Sequence, residues 1–370
     1  MTVNEITLES FRSYIDAHAE FSDGINIITG KNAQGKTNLL EAIFYLTCGR
    51  SFRTRADREL INFDADSARI RLGVTSGGRE QVLEALLRRG VRKTLTVNGV
   101  KQKSVSGLSG KLTAVLFCPG DLSMIREGSS ERRRVMDQCL CQMRPKYAEA
   151  LSEYGRVYDH KSRILKDFRE KPSLLDTLDD FNERLAHFGA MLIYYRAAFV
   201  SLLNERAREV HLDFSGGAEE LSIRYETVKT VEAPLGKKPS ELISPLMEHL
   251  DAHRSAELET GTCLSGPHKD DLIFSINGRN AKSFASQGQT RTAALSVKMA
   301  ERSILASDTG ESPILLLDDV LSELDPGRQD FVLNRVGGGQ VFITCCEDDR
   351  ILARTGGRVF TVQNGAVTQV

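Results

Sequence analysis

The run DGINIITGKNAQGKTNLLEAIFYLTC, Asp23 to Cys48, passes through three local patterns in turn. Ile25, Ile27 and Ile28 make a short β-branched strand, and Leu39, Leu40, Ile43, Phe44 and Leu46 recur at helical spacing. Between them, Gly30 to Thr37 reads GKNAQGKT, a full match to the phosphate-loop pattern G-x-x-x-x-G-K-[ST]. A strand, a glycine-bounded loop and a helix N-terminus place several backbone N–H groups and the positive end of the helix dipole around one anion. The pattern predicts that Gly30, Lys31, Asn32, Ala33, Gln34, Gly35, Lys36, Thr37 and Asn38 cradle the phosphates of ATP. Lys36 would reach the β- and γ-phosphates, and the Thr37 hydroxyl would ligate Mg²⁺.

Working outward, the chain has 370 residues, enough for two domains or lobes. A hydrophobic content of 41% with 27% charged residues describes a soluble globular protein, and a net charge of −1 confines any nucleic-acid surface to a local patch. Seven scattered cysteines without a C-x-x-C pair suit a reducing cytosol rather than a disulfide framework or a zinc site. The N-terminus lacks a signal pattern, and the longest apolar stretch, Ala190 to Leu203, is interrupted by Arg196, so no membrane segment is expected.

Strands are expected at Val3–Leu8, Ile15–Phe21 and Ile25–Thr29. The loop from Gly49 to Arg55 is basic. It reads either as solvated or as a contact through Arg50, Arg53 and Arg55 to nucleotide or DNA phosphates. Residues 68–117 alternate as an antiparallel sheet with a hairpin at Asn98-Gly99. Its rim carries Arg88, Arg89, Arg92, Lys93, Lys101 and Lys103 with no acid among them. That is a solubility face, or a surface for DNA backbone through Arg88, Arg89, Arg92 and Lys93. From Ser129 to Val210 the text is helical, with Leu185, Phe188, Leu192, Tyr195, Phe199 and Leu202 on one face as a bundle core. A strand at Leu221–Tyr225, a loop from Pro234 to Pro245 and a helix from Glu241 to Arg254 complete this arm.

Strand text returns at Leu272–Ile276. Ser286-Gln287-Gly288-Gln289 then opens a helix, and Pro313 to Asp319 is an apolar strand ending in two carboxylates. There Asp318 would hold Mg²⁺ through water, while Asp319 would polarise an attacking water. The order phosphate loop, S-x-G-Q, paired acids and Ser322-Glu323-Leu324-Asp325 resembles the ABC-type ATPases of the SMC and Rad50 branch. Within that branch, Glu9 to Tyr14, Gly49 to Arg53, Arg132-Arg133-Arg134 and Gly266 to Leu272 are similar to a family of bacterial recombination mediators.

The resemblance implies an α/β ABC-type ATPase head, a phosphate-loop NTPase with an antiparallel β subdomain, bearing a compact and mainly helical arm. The head would comprise residues 1–125 and 261–370, and the arm 126–260. It implies an ATP-dependent homodimer in which Ser286, Gly288 and Gln289 of one copy cover the γ-phosphate bound by the other. Lys36 and Asp319 would be catalytic, with Arg12 beside phosphate or ribose. It further implies a cytoplasmic, nucleoid-associated protein that grips duplex DNA and single/double-strand junctions without sequence specificity. RecR, RecO and RecA are the implied protein partners, and no membrane is.

Four departures stand out: Pro119-Gly120-Asp121 where Pro-Glu-Asp is expected, Thr290-Arg291 after the S-x-G-Q stretch, Asp319 rather than Glu, and Cys345-Cys346 where transporter ATPases carry His. They predict hydrolysis slower than roughly 1 s⁻¹. Two alternatives share this sequence: a nucleic-acid scaffold with a vestigial ATPase, and a transporter-type motor subunit. His268 reads as a hydrogen-bonded structural residue and Gly337-Gly338-Gly339 as a plain turn.

Overall fold

The computed structural model describes residues 1–54, 56–335, 337–346 and 356–370. By its contacts the chain forms two compact units, Met1–Ser123 with Ala294–Val370, and Met124–Ala293.

The first unit begins with β1 (Thr2–Phe11), β2 (Tyr14–Glu20), β3 (Ile25–Thr29) and α1 (Lys36–Cys48). Then come β4 (Ser67–Ser76), β5 (Arg79–Arg88), β6 (Val91–Val97), β7 (Val100–Lys101) and β8 (Ala114–Phe117). A six-stranded antiparallel sheet runs β2-β1-β4-β5-β6-β7. In β4 the buried residues are Ala68, Ile70, Leu72 and Val74, the period-2 pattern of a sheet with one face on a core. Asn98 and Gly99 turn β6 into β7 with φ of 50° and 76°, as a hairpin that follows strand twist requires.

The second unit holds α2 (Ser129–Met143), α3 (Pro145–Asp167), α4 (Leu178–Phe214), β9 (Leu221–Glu226), α5 (Pro239–Thr260), β10 (Asp271–Ile276), β11 (Arg279–Asn280) and α6 (Ala281–Phe284). Helix α4 spans 37 residues and, with the turn from Pro172, is long and apolar enough to cross a membrane by length and composition alone. However, 56% of its apolar window is buried inside the protein. Its central Arg196, 2% exposed, pairs with Asp270 at 2.7 Å and Asp137 at 2.9 Å. A buried, ion-paired arginine fits a core helix of this unit.

Pro245 lies inside α5 rather than in a loop. The helix continues through it, forgoing one backbone bond to the Glu241 carbonyl. The segment 261–293, expected with the head, belongs instead to the helical unit. The reason is pairing. Strand β10 runs antiparallel to β9 from Asp271↔Glu226 to Ile276↔Leu221, and Asp271 takes a 2.7 Å bond from Arg132 of α2.

Helix α7 (Gln287–Thr309) carries the chain across the boundary to β12 (Ile314–Asp318), α8 (Pro326–Arg335), β13 (Val341–Cys345), β14 (Arg358–Gln363) and β15 (Ala366–Gln369). A second six-stranded sheet of the first unit runs β15-β14-β3-β13-β12-β8. It is parallel except for β15 at its edge. β8, β12 and β13 are buried at every residue, which is why they read as unbroken apolar runs. The sequence reading places this C-terminal stretch in the head but assigns no strand or turn after Cys346. Yet Asn364 and Gly365, with φ of 49° and 74°, turn β14 into β15.

Candidate nucleotide site

The parallel sheet places Gly30 and Asp318 at the carboxyl ends of strands flanking β13, where α/β sheets bind ligands. Two glycines of the loop are sterically required. A Cβ on Gly30 would lie 2.4 Å from the Val362 carbonyl, and one on Gly35 would lie 2.7 Å from Ser13 Oγ. Their φ values of 145° and 115° are also closed to L side chains. Tyr14 donates its hydroxyl to the Gly35 carbonyl at 2.9 Å, tying β2 to the start of α1.

Lys36 is 4% exposed and bridges the loop, donating to the carbonyls of Gly30 at 2.7 Å and Lys31 at 3.2 Å. Cys346 Sγ lies 3.5 Å from the same ammonium and 2.8 Å from Asn32 Oδ1. Lys31, Asn32 and Ala33 are exposed, and Ala33 takes a φ of 65°. Gln34 accepts from Asn364 N at 2.8 Å.

Thr37 donates its hydroxyl to Asp318 Oδ1 at 2.9 Å, and Thr344 of the neighbouring strand donates to the same oxygen at 3.0 Å. The parallel register pairs Asp318 with Thr344. Burial pushes the Asp318 carboxyl above its usual range, and the two hydroxyl bonds work against that shift. Asp319 follows with a φ of 50°, and its N–H donates to Thr344 Oγ1 at 2.8 Å. Thr37 and Asp318 offer oxygen donors only. Among the described residues no group of three or more His, Cys, Asp or Glu gathers elsewhere to hold an ion. Such a site fits Mg²⁺, which takes one or two protein oxygens and completes its shell with phosphates and water.

Arg12 does not face the loop as a free guanidinium. It grips Glu41 with two bonds of 2.9 Å and donates a third to the Glu59 carbonyl. Glu41 is fully buried in α1, with Ser51 donating to it and Arg53 at 3.5 Å. Arg53 also donates to Asn38 Oδ1 at 2.8 Å, and Asn38 Nδ2 donates to Ser13 Oγ at 2.9 Å. Sequence reasoning missed Glu41. Its signal was a lone acid within the apolar run Leu39-Leu40-Glu41-Ala42-Ile43.

The basic rim also divides. Lys93 pairs with Asp57 at 3.0 Å and donates to Tyr45 OH and the Gly49 carbonyl. Arg89 donates to the carbonyls of Ala65 and Asn62, and Arg92 to that of Lys103. Arg88 is exposed and Arg50 half-buried, while Arg55 lies outside the described residues. Arg92, Lys101 and Lys103 line a pocket of about 290 Å³. Asp121 turns inward, 2% exposed, and accepts from Cys118 N.

In the second unit, Ser286 and Gln289 cap the start of α7. Gln289 N donates to Ser286 Oγ at 3.1 Å, and Ser286 N donates to Gln289 Oε1 at 2.8 Å. Gly288 is half-buried between them.

The family model described as "RecF/RecN/SMC N terminal domain" matches residues 2–368. The DNA replication and repair protein RecF of Acetivibrio thermocellus is 39% identical over 349 residues, 94% of each chain. The chain belongs to the RecF family. RecF of Bacillus subtilis is 37% identical over 375 residues, covering 100% of both chains. The solved structure of the recombination mediator protein RecF-ATPrS in the RecFOR pathway covers 100% of this chain and 98% of its own, with a TM-score of 0.90 and 34% identity. The Smc head domain of Pyrococcus furiosus, at 16% identity and a TM-score of 0.52, shares the fold alone. This RecF-family chain therefore has the α/β architecture of an ABC-type ATPase head.

Proposed function

We propose that this chain is an ATP-dependent DNA-binding protein of recombinational repair and replication restart, whose nucleotide state sets whether two copies close on DNA. The observation that carries this is the closure of Thr37 on Asp318 at 2.9 Å, beside a loop bridged by buried Lys36. ATP lies in the Gly30–Thr37 loop. Thr37 and Asp318 hold Mg²⁺, which when bound offsets phosphate charge. Asp319 orients the attacking water, and hydrolysis is slow and DNA-dependent. Ser286, Gly288 and Gln289 of a second copy cover the γ-phosphate. The closed dimer grips duplex DNA near single-strand gaps and, with RecR and RecO, promotes RecA loading. The protein works in the cytoplasm at the nucleoid. Similarity to RecF-ATPrS and RecF-ATP supports the nucleotide assignment, and the names of the relatives support the repair role.

A second reading, a scaffold with a vestigial ATPase, draws on β13 running into Cys345 and Cys346 without a histidine. Sedimentation with no nucleotide, ATP or ADP tests the main reading. Wild type dimerises with ATP alone, Lys36→Ala does not, and Ser286→Arg binds ATP as a monomer. A Ser286→Arg variant that dimerises like wild type would refute the trans assignment.

A further inference from the structure

The turn that opens α7 is held from behind by groups of its own unit. Gln289 Nε2 donates to Glu219 Oε1 at 2.8 Å, and His211 Nε2 lies 3.2 Å from Glu219 Oε2. An ionised carboxylate only accepts, so His211 carries its proton on Nε2 and each Glu219 oxygen takes one donor. His211 is fully buried near the end of α4, while the Glu219 side chain is 22% exposed. The Glu219 backbone is fixed as well. Its N–H donates to Ser215 Oγ at 3.1 Å, and the next residue, Glu220, exchanges bonds with Asn277 in the β10–β11 turn.

The Gln289 amide has two faces, and both of its partners select the same orientation. Ser286 N–H requires the carbonyl oxygen, and Glu219 requires the NH₂. With that orientation set, Gln289 N donates to Ser286 Oγ, and the serine hydroxyl has its own proton to give to an outside acceptor such as a phosphate oxygen. The geometry points to Glu219 as a positioning residue for the phosphate-covering turn. Backed by His211 of α4, it sets the Gln289 amide and, through it, the Ser286 hydroxyl. The longest helix of the second unit and the turn at Ser286 thus share one hydrogen-bonded chain. This inference rests on the reading of Ser286–Gln289 as the stretch that covers ATP held by a second copy.

The test uses the full chain and compares Glu219→Ala, Glu219→Gln, Glu219→Asp and Ser286→Arg. The readouts are ATP affinity of the dilute monomer, the ATP-dependent dimer dissociation constant and the melting temperature. Removing a hydrogen bond to a charged group predicts that Glu219→Ala weakens dimerisation by about tenfold or more. ATP affinity of the monomer stays at the wild-type value. Glu219→Gln, whose amide oxygen still accepts from Gln289 while its NH₂ donates to His211 Nε2 in the other imidazole tautomer, recovers most of the loss. Glu219→Asp, one methylene too short to meet both partners, follows Glu219→Ala and replaces it if that variant does not fold. Melting shifts in Glu219→Ala or Glu219→Asp with wild-type dimerisation would make the residue merely structural and overturn the proposal. If Ser286→Arg blocks dimerisation and the Glu219 variants do not, the proposal alone fails. If Ser286→Arg dimerises normally, the trans reading fails and the proposal with it.

Discussion

Lys36, Asp319, Glu41 and Lys93 are four charged residues with four separable consequences. Lys36→Ala removes the ammonium that would meet the phosphates, and one charge-assisted contact is worth about 1.5–3 kcal/mol. Titration calorimetry should show ATP affinity falling by about tenfold to a hundredfold. Asp319→Asn keeps the side-chain shape but not the charge that would polarise water, so single-turnover hydrolysis should fall about 10²-fold or more with ATP affinity unchanged. A variant hydrolysing at the wild-type rate would remove Asp319 from the chemistry. Glu41→Ala strands Arg12 and Arg53 beside a buried gap, and breaking such a pair costs about 3 kcal/mol. Chemical denaturation should register that loss, and an unshifted midpoint would mean the pair adds nothing. Lys93→Met should likewise lower stability through Asp57 while leaving the salt dependence of DNA binding alone. The loop glycines, Lys36, Thr37 and the paired acids were legible because their chemistry demands residue types at fixed spacing. The ion-pair partners of Arg12 and Lys93 were not, because a sequence shows a charge but not its partner across the fold.

At the scale of elements, the strand-loop-helix core and the buried strands announced themselves through apolar runs. The helical unit did so through long stretches free of Gly and Pro. What the pattern hid were long-range choices. The β9–β10 pairing draws residues 261–293 to the helical unit, and no local signal encodes a partner so far away in the chain. The Asn364-Gly365 turn, by contrast, was present in the sequence as a hairpin signal.

His268 gives this unit a pH dependence. It is bonded to Tyr154 OH at 2.7 Å and to the Cys263 carbonyl, and burial lowers its pKa from 6.5 to about 4. The unfolded chain therefore binds the proton more readily than the folded one. Stability is complete above pH 6.5 and declines as pH falls through the window toward 4. Between pH 7 and 5 the loss from this group is about 2 kcal/mol. Urea midpoints of His268→Gln should fall less steeply over that interval than those of wild type. Parallel slopes would assign the acid sensitivity to other groups, His211 and His249 among them, whose pKa values burial also lowers.

For the whole molecule, coupling between ATP and DNA must be reciprocal: DNA tightens ATP by the factor that ATP tightens DNA. On the basic rim Lys93 is ion-paired with Asp57. The exposed Arg88, Lys101 and Lys103 remain available on the β5–β7 rim. Each of them that meets a phosphate should lower the salt slope by about one unit when replaced by alanine. The most direct test of the clamp is equilibrium binding to duplex DNA with no nucleotide, with ATP and with ADP, for wild type and Lys36→Ala. The account predicts that ATP alone tightens wild-type binding and that Lys36→Ala shows no such gain. Equal affinity in all three states would contradict it, separating the nucleotide site from DNA and favouring the scaffold reading.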